Sequence, residues 1–273
     1  MTKLVCVVGD KGGIGKSTWA RGFADYCRTR QARVALFDGD WISRSLFKMF
    51  CSKLRDGSVL PLMQQDPRSG CILYDIHNRN LGRDLLLNSM AVPGVDIVLH
   101  DLPAGFRADF CHVMAINRPD EAIVQFVQSA KDVGIAPVFV TPLAPQWAGH
   151  HTAAWLCELL RGMAPVVAVC NLQYDEEQFE LWRAGDRKRF LDAGGIEIAM
   201  PGLDPITYLN VDTQAVRFGA VANHDMLSVA DKLRVGAWVR RFAASIEGVA
   251  DVLGVTPPTG APRVQAAASV HST

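Results

Sequence analysis

Up to about residue 200 the chain alternates short runs that are apolar at nearly every position with longer segments in which apolar residues return every three or four places. The continuous runs cover 4–8, 33–37, 95–100, 137–141, 166–170 and 196–200. A strand with one wet face alternates apolar and polar residues, so runs that do not alternate predict strands covered on both faces. Segments of helical period lie between them at 16–30, 83–90, 120–133, 147–161 and 176–192. Strand–helix alternation predicts right-handed crossovers. The expected fold class is therefore α/β, a doubly wound, mostly parallel sheet flanked by helices. Val235, Trp238, Phe242, Ile246, Val249 and Leu253 recur at steps of three and four and mark a final helix. After Gly254 the composition turns to prolines and small residues. One domain over 1–254 and a flexible tail over 255–273 are expected. The stretch 52–80 yields no defined element, and no internal repeat is visible.

Composition narrows the class. The 273 residues carry 28 Lys+Arg against 28 Asp+Glu, with 49% hydrophobic and 21% charged residues. That balance excludes general disorder and a protein basic over its whole surface, leaving room for a local basic patch. No apolar run approaches the roughly 18 residues of a spanning helix, and the first residues do not read as a signal peptide. Seven scattered cysteines (Cys6, Cys27, Cys51, Cys71, Cys111, Cys157 and Cys170) include no C-x-x-C pair. They are expected to be structural thiols in a reducing compartment, and the location cytoplasmic.

The most informative stretch joins the first strand to the first helix: Gly9-Asp10-Lys11-Gly12-Gly13-Ile14-Gly15-Lys16-Ser17-Thr18. The register that fits the spacing G-x-x-x-x-G-K-[ST] places Asp10 where the first glycine normally stands. The physics tolerates that departure. Glycines let backbone N–H groups turn inward, and with the helix N-terminus they form an anion nest. Lys16 is placed for the β- and γ-phosphate oxygens, Ser17 for Mg²⁺ and Thr18 for the α-phosphate.

Lys11 is not required by an ordinary phosphate loop. With it, Lys-Gly-Gly-Ile-Gly-Lys-Ser-Thr resembles the deviant Walker A motif of the ParA/MinD family of P-loop ATPases, in its small stand-alone ParA form. The resemblance implies a P-loop NTPase fold, ATP and Mg²⁺ as cofactors, and a homodimer that closes on ATP. It also implies that Lys11 reaches the phosphates of the partner's nucleotide, supplying charge in the manner of an arginine finger. Gly12, Gly13, Ile14, Gly15, Lys16, Ser17 and Thr18 are then the phosphate-binding residues.

Two acidic segments agree with that resemblance. The strand end Phe37-Asp38-Gly39-Asp40 is similar to the family's switch I, which implies that Asp40 helps position the attacking water and that Asp38 lies near Mg²⁺. The run to His100-Asp101-Leu102-Pro103-Ala104-Gly105 is similar to a Walker B strand with switch II, implying Asp101 in the Mg²⁺ shell and a Gly105 N–H that senses the γ-phosphate. His100 is read as a plain strand residue. At the adenine end the resemblance implies Asn171, at a strand terminus, and Pro201, in Met200-Pro201-Gly202-Leu203.

Within that family the leading expectation is a positioning or partitioning ATPase, weak until a partner protein stimulates it, which binds nonspecific DNA. Arg217, Lys232, Arg234, Arg240 and Arg241 are the candidate DNA-binding residues, and nucleoid association would follow. The alternatives are a plasmid conjugation or stability accessory ATPase of the TraL or StbB kind, or a MinD-like positioning ATPase, with an ATP-dependent biosynthetic ligase behind them. A MinD-like membrane role lacks a basic amphipathic terminal helix. A biosynthetic ligase of the dethiobiotin-synthetase type generally lacks the early lysine. The cargo, the stimulating partner and the role of 48–91 are not legible.

Overall fold

The computed structural model describes residues 1–78 and 82–255. Seven strands, β1 (Lys3–Val7), β2 (Val34–Asp38), β3 (Ile72–Leu73), β4 (Ile97–Asp101), β5 (Ala136–Leu143), β6 (Val166–Leu172) and β7 (Ile196–Pro201), form one sheet in the order β3-β2-β4-β1-β5-β6-β7. Every neighbouring pair is parallel. The helices are α1 (Lys16–Thr29), α2 (Ser45–Phe50), α3 (Asp84–Asn88), α4 (Phe106–Met114), α5 (Pro119–Asp132), α6 (Trp147–Leu159), α7 (Glu180–Ala184), α8 (Asp186–Asp192), α9 (Pro205–Thr213), α10 (Val229–Glu247) and α11 (Ala250–Leu253). This is the doubly wound α/β arrangement expected from the alternation.

The continuous apolar runs have a direct cause. In β1, Val5 and Val7 pack with α1, α2 and α10, while Leu4, Cys6 and Val8 pack with α4, α5 and α6 on the other face. Leu4 to Val8 are all closed off from water, so neither face of the run calls for a polar residue. Most strand bounds differ from those expected by only one to three residues, which is the usual fraying of helix and strand ends. Val255 is buried against the core, and the rest of the 255–273 segment lies outside the described residues.

Two expectations are corrected. The helix expected over 176–192 is a 3₁₀ turn (Glu176–Phe179) followed by α7 and α8. Gly185, at φ −111° and ψ −106°, leaves helical geometry and divides the last two, and a Cβ there would lie 2.9 Å from the Leu181 carbonyl oxygen. The helix expected over 83–90 is the short α3 running into a 3₁₀ turn (Ser89–Ala91). The open stretch 52–80 contributes β3, and α2, α4 and α9 had no sequence forecast. His100 is a strand residue as expected, and it also fastens this region. Its Nδ1 lies 2.8 Å from the Tyr74 hydroxyl and its Nε2 2.8 Å from that of Ser89, and burial pushes its pKa down to about 3.

The chain leaves β1 toward β2 through α1 on one face, and leaves β4 toward β5 through α4 and α5 on the other. Connections that diverge in this way open a crevice at the carboxyl ends of the strands. The candidate site lies there.

Candidate functional site

The loop from Val8 to Gly15 follows β1 and ends on α1. Gly13 and Gly15 have φ of 75° and 103°, a left-handed conformation that an L side chain resists. Gly15 is needed twice over, since a Cβ would sit 2.7 Å from Asn171 Nδ2. Gly12, Gly13, Gly15, Lys16, Ser17 and Thr18 line a cavity of about 680 Å³, with Asp40, Ala104, Asn171, Met200, Pro201 and Tyr208 among the other walls. A volume of that size suits a small organic ligand. Lys16 is buried, and its ammonium donates to the Lys11 carbonyl at 2.9 Å. Burial pushes the Lys16 pKa down, against the pull of Asp101, Asp40, Asp10 and Asp109. The Lys11 side chain is exposed and stands outside the cavity wall.

Asp101, at the end of β4, is 1% exposed, and neither of its carboxylate oxygens has a hydrogen-bond partner. Burial raises its pKa, while the neighbouring Ser17 hydroxyl and the Lys16 charge pull it down. Two orphaned oxygens beside a serine hydroxyl at the foot of an anion nest suit a hard divalent cation. Among the described residues no group of three or more His, Cys, Asp or Glu side chains could hold a metal. Such a cation therefore takes its remaining oxygens from a bound ligand or water.

Asp38, expected near the metal, gives its carboxylate to backbone donors. Its Oδ2 accepts from the N–H groups of Leu46 and Phe47 at 2.9 Å each, and its Oδ1 accepts from the Asp40 N–H at 3.0 Å. It is fully buried and is not part of the cavity wall. Its carboxylate satisfies donors at the start of α2, where the helix dipole favours negative charge. Asp40 does line the cavity, and its Oδ1 accepts from Ile42 and Ser43 to shape the turn that follows.

Burial raises the pKa of both Asp38 and Asp101, with repulsion from Asp101 adding to the first and repulsion from Asp40 to the second. A carboxyl raised above its ordinary 3.8 contributes stability at low pH that is lost as pH climbs through the folded value. Asp101→Asn removes one such charge. Its Tm in the absence of nucleotide is expected to rise by about 2–4 °C per kcal/mol relieved, with less dependence on pH above the ordinary carboxylate range. An unchanged Tm in a calorimetric pH series would contradict the electrostatic cost assigned to Asp101.

Gly105 and Asn171 are both occupied by the loop itself. The Gly105 N–H, expected to await a γ-phosphate, donates to the Gly9 carbonyl at 3.2 Å. The Asn171 amide donates to the Ile14 carbonyl at 3.1 Å and accepts from the Gln173 N–H at 3.1 Å. Both residues thus hold the shape of the phosphate loop. Pro201 reaches the wall, and its carbonyl accepts from Trp238 Nε1 at 2.7 Å.

Sequence reasoning missed Arg21 and Tyr208. Arg21, 2% exposed on α1, pairs with Asp212 at 2.7 Å and donates to the Tyr208 hydroxyl and the Ser45 carbonyl, each at 3.1 Å. The Tyr208 hydroxyl lies 3.3 Å from Thr18 Oγ1. This network ties α1, the start of α2 and α9 around one side of the cavity. A lone arginine in an amphipathic helix gives no signal of it.

The five basic candidates do not form one free patch. Arg234 reaches Thr207 Oγ1 at 3.3 Å and Asp204 at 3.7 Å, and Arg241 reaches the Gly202 carbonyl at 3.4 Å. These two lean together on the connection between β7 and α9. Arg217 lies over the Phe50 ring, 5.8 Å from its centroid, and Lys232 is half-buried. Arg240 is exposed.

No protein-family model matches the sequence, and no curated protein does. Among solved structures, the septum site-determining protein MinD from Pyrococcus horikoshii OT3, complexed with Mg-ADP, matches 93% of this chain and 99% of its own, at 16% identity and a TM-score of 0.51. A McdA variant from Cyanothece, in complex with ATP, matches 93% of this chain and 97% of its own, at 12% identity and the same TM-score of 0.51. At such identities the likeness is one of fold. The chain has the P-loop fold of MinD and McdA.

Proposed function

We propose that this chain is a ParA/MinD-like positioning ATPase. It binds ATP with Mg²⁺ in the cavity above α1, pairs with a second copy around the nucleotide, and holds nonspecific DNA in that state. A stimulating partner protein returns it to the monomer through hydrolysis. The observation that carries the reading is the glycine loop ending in buried Lys16, which opens on a 680 Å³ cavity beside the unsatisfied oxygens of Asp101. MinD with Mg-ADP and McdA with ATP share the fold, which supports the choice of nucleotide.

In this reading the N–H groups of the loop cradle the β-phosphate, and Lys16 exchanges the Lys11 carbonyl for β- and γ-oxygens. Ser17 and Asp101 are the residues that would hold Mg²⁺, whose charge offsets that of the phosphates. Asp40 stands in the wall as the group that orients water. Lys11 crosses to the partner's phosphates. Asn171 and Pro201 bound the base, while Gly105 is free to leave Gly9 for the γ-phosphate. Among the described residues no helix is long and apolar enough to cross a membrane, and the DNA surface is drawn from Arg240 and its basic neighbours.

Duplex DNA binding, measured with ATP, with ADP and without nucleotide across a salt series, tests the proposal. Binding confined to ATP is expected, with the logarithm of affinity falling by about 0.9 per phosphate contacted for each tenfold rise in salt. Hydrolysis and ATP-dependent pairing without DNA binding under any condition would remove DNA and redirect the search to a protein surface.

A further inference from the structure

Asp10 is an oddity of the loop. A carboxylate at the lip of an anion nest repels a triphosphate, so nucleotide binding alone gives no reason for it. It occupies the place where the usual spacing has a small, flexible glycine. The structure turns it away from the cavity, whose wall it does not join. Its Oδ2 is 3.3 Å from Arg107 Nε and 2.8 Å from Thr152 Oγ1. Arg107 also reaches Thr152 Oγ1 through Nη2 at 3.2 Å, and its guanidinium carbon stands 4.0 Å from the centre of the Trp155 ring. Thr152 is buried.

Three elements therefore meet on one carboxylate: the loop, α4 through Arg107, and α6 through Thr152 and Trp155. An exposed ion pair contributes little by itself. Here the arginine lies over an indole and against a buried hydroxyl, which fixes its direction as well as its charge. Asp10 directly precedes Lys11, so fixing its backbone fixes where the Lys11 side chain sets out. The Lys11 carbonyl in turn holds Lys16. On the α4 side, Arg107 lies two residues after Gly105, whose N–H is bonded to Gly9.

We propose that Asp10, Arg107 and Thr152 form a clasp that aims Lys11, with Arg107 as a positioning residue for phosphoryl transfer across the pair. This rests on the ATPase reading above. The clasp also links Lys11 to α4, so a movement of the Gly105 segment is transmitted to the lysine through Arg107.

The test measures kcat and KM for ATP hydrolysis, and ATP-dependent pairing by light scattering, in wild type, Arg107→Met, Arg107→Lys, Asp10→Asn and the Asp10→Asn/Arg107→Met double variant. A misaimed catalytic group costs about tenfold to a hundredfold, and that loss is expected in kcat for Arg107→Met. Arg107→Lys keeps the charge without the guanidinium and should recover part of it. Asp10→Asn removes a charge that repels the triphosphate, so its KM should hold or fall while kcat drops. A merely structural role would weaken both together. The double variant should be no worse than the poorer single one, because both break one contact. Wild-type kcat in Arg107→Met and Asp10→Asn, or losses that multiply in the double variant, would overturn the clasp. A wild-type protein that neither binds nor hydrolyses ATP would instead overturn the ATPase reading, and the clasp with it.

Discussion

Lys16→Ala is expected to abolish nucleotide binding, lowering ATP affinity by more than about a hundredfold in a calorimetric or fluorescent-analogue titration. Lys16 is 8% exposed, so its ammonium loses hydration that opposite charge must restore. In the present structure its hydrogen bond goes to a neutral carbonyl, that of Lys11, while acidic side chains around it keep its charge favourable. A triphosphate offers several anionic oxygens in the same place, and hydrogen bonds between ionised groups are about twice as strong as neutral ones. Arginine is not an adequate replacement. A guanidinium is larger and planar, with its donors in a fixed fork rather than on a compact point charge. Undiminished ATP binding in Lys16→Ala would move the nucleotide to another part of the molecule.

Lys11→Ala separates binding from catalysis. ATP binding to the single chain should survive, since the Lys11 side chain takes no part in the cavity wall. Pairing in the presence of a slowly hydrolysed ATP analogue should disappear, and hydrolysis should fall by about a thousandfold, the lower end of what a charge supplied in trans contributes to phosphoryl transfer. The reason is geometric. Lys11 lines a small crevice with Asp10, Gln146 and Thr152, separate from the cavity walled by Asn171 and Pro201. Retention of ATP-dependent pairing in Lys11→Ala, read by light scattering, would remove the second copy from the mechanism.

Contiguity decided what the sequence made legible. The strands could be read because burial on both faces erases polar alternation, as Leu4 to Val8 illustrates. The phosphate loop, Asp40 and Asp101 could be read because each chemistry lies within a few consecutive residues. Asp38 could be located at a strand end and assigned to Mg²⁺, with no sign of the backbone donors it also serves. A carboxylate there can serve a cation or a helix start, and only the direction of α2 distinguishes the two. Arg21 and Tyr208 meet across 187 positions, so no local pattern announces them. The break in 176–192 escaped for a similar reason, since a glycine is tolerated in many helices and only the backbone turn at Gly185 shows that this one ends a helix.

The placement of β1 has a consequence for how the chain comes off the ribosome. β1 is the first strand made, yet it lies in the middle of the sheet, with Lys3 beside Ile97 on one edge and Ala136 on the other. At a synthesis rate of about 5–20 residues per second, its first partner emerges only after several seconds. Until then Leu4 to Val8, apolar throughout, offers two unsatisfied edges and two greasy faces. Nascent chains stalled before β4 should therefore engage holding chaperones, and that engagement should end once β5 has cleared the exit tunnel.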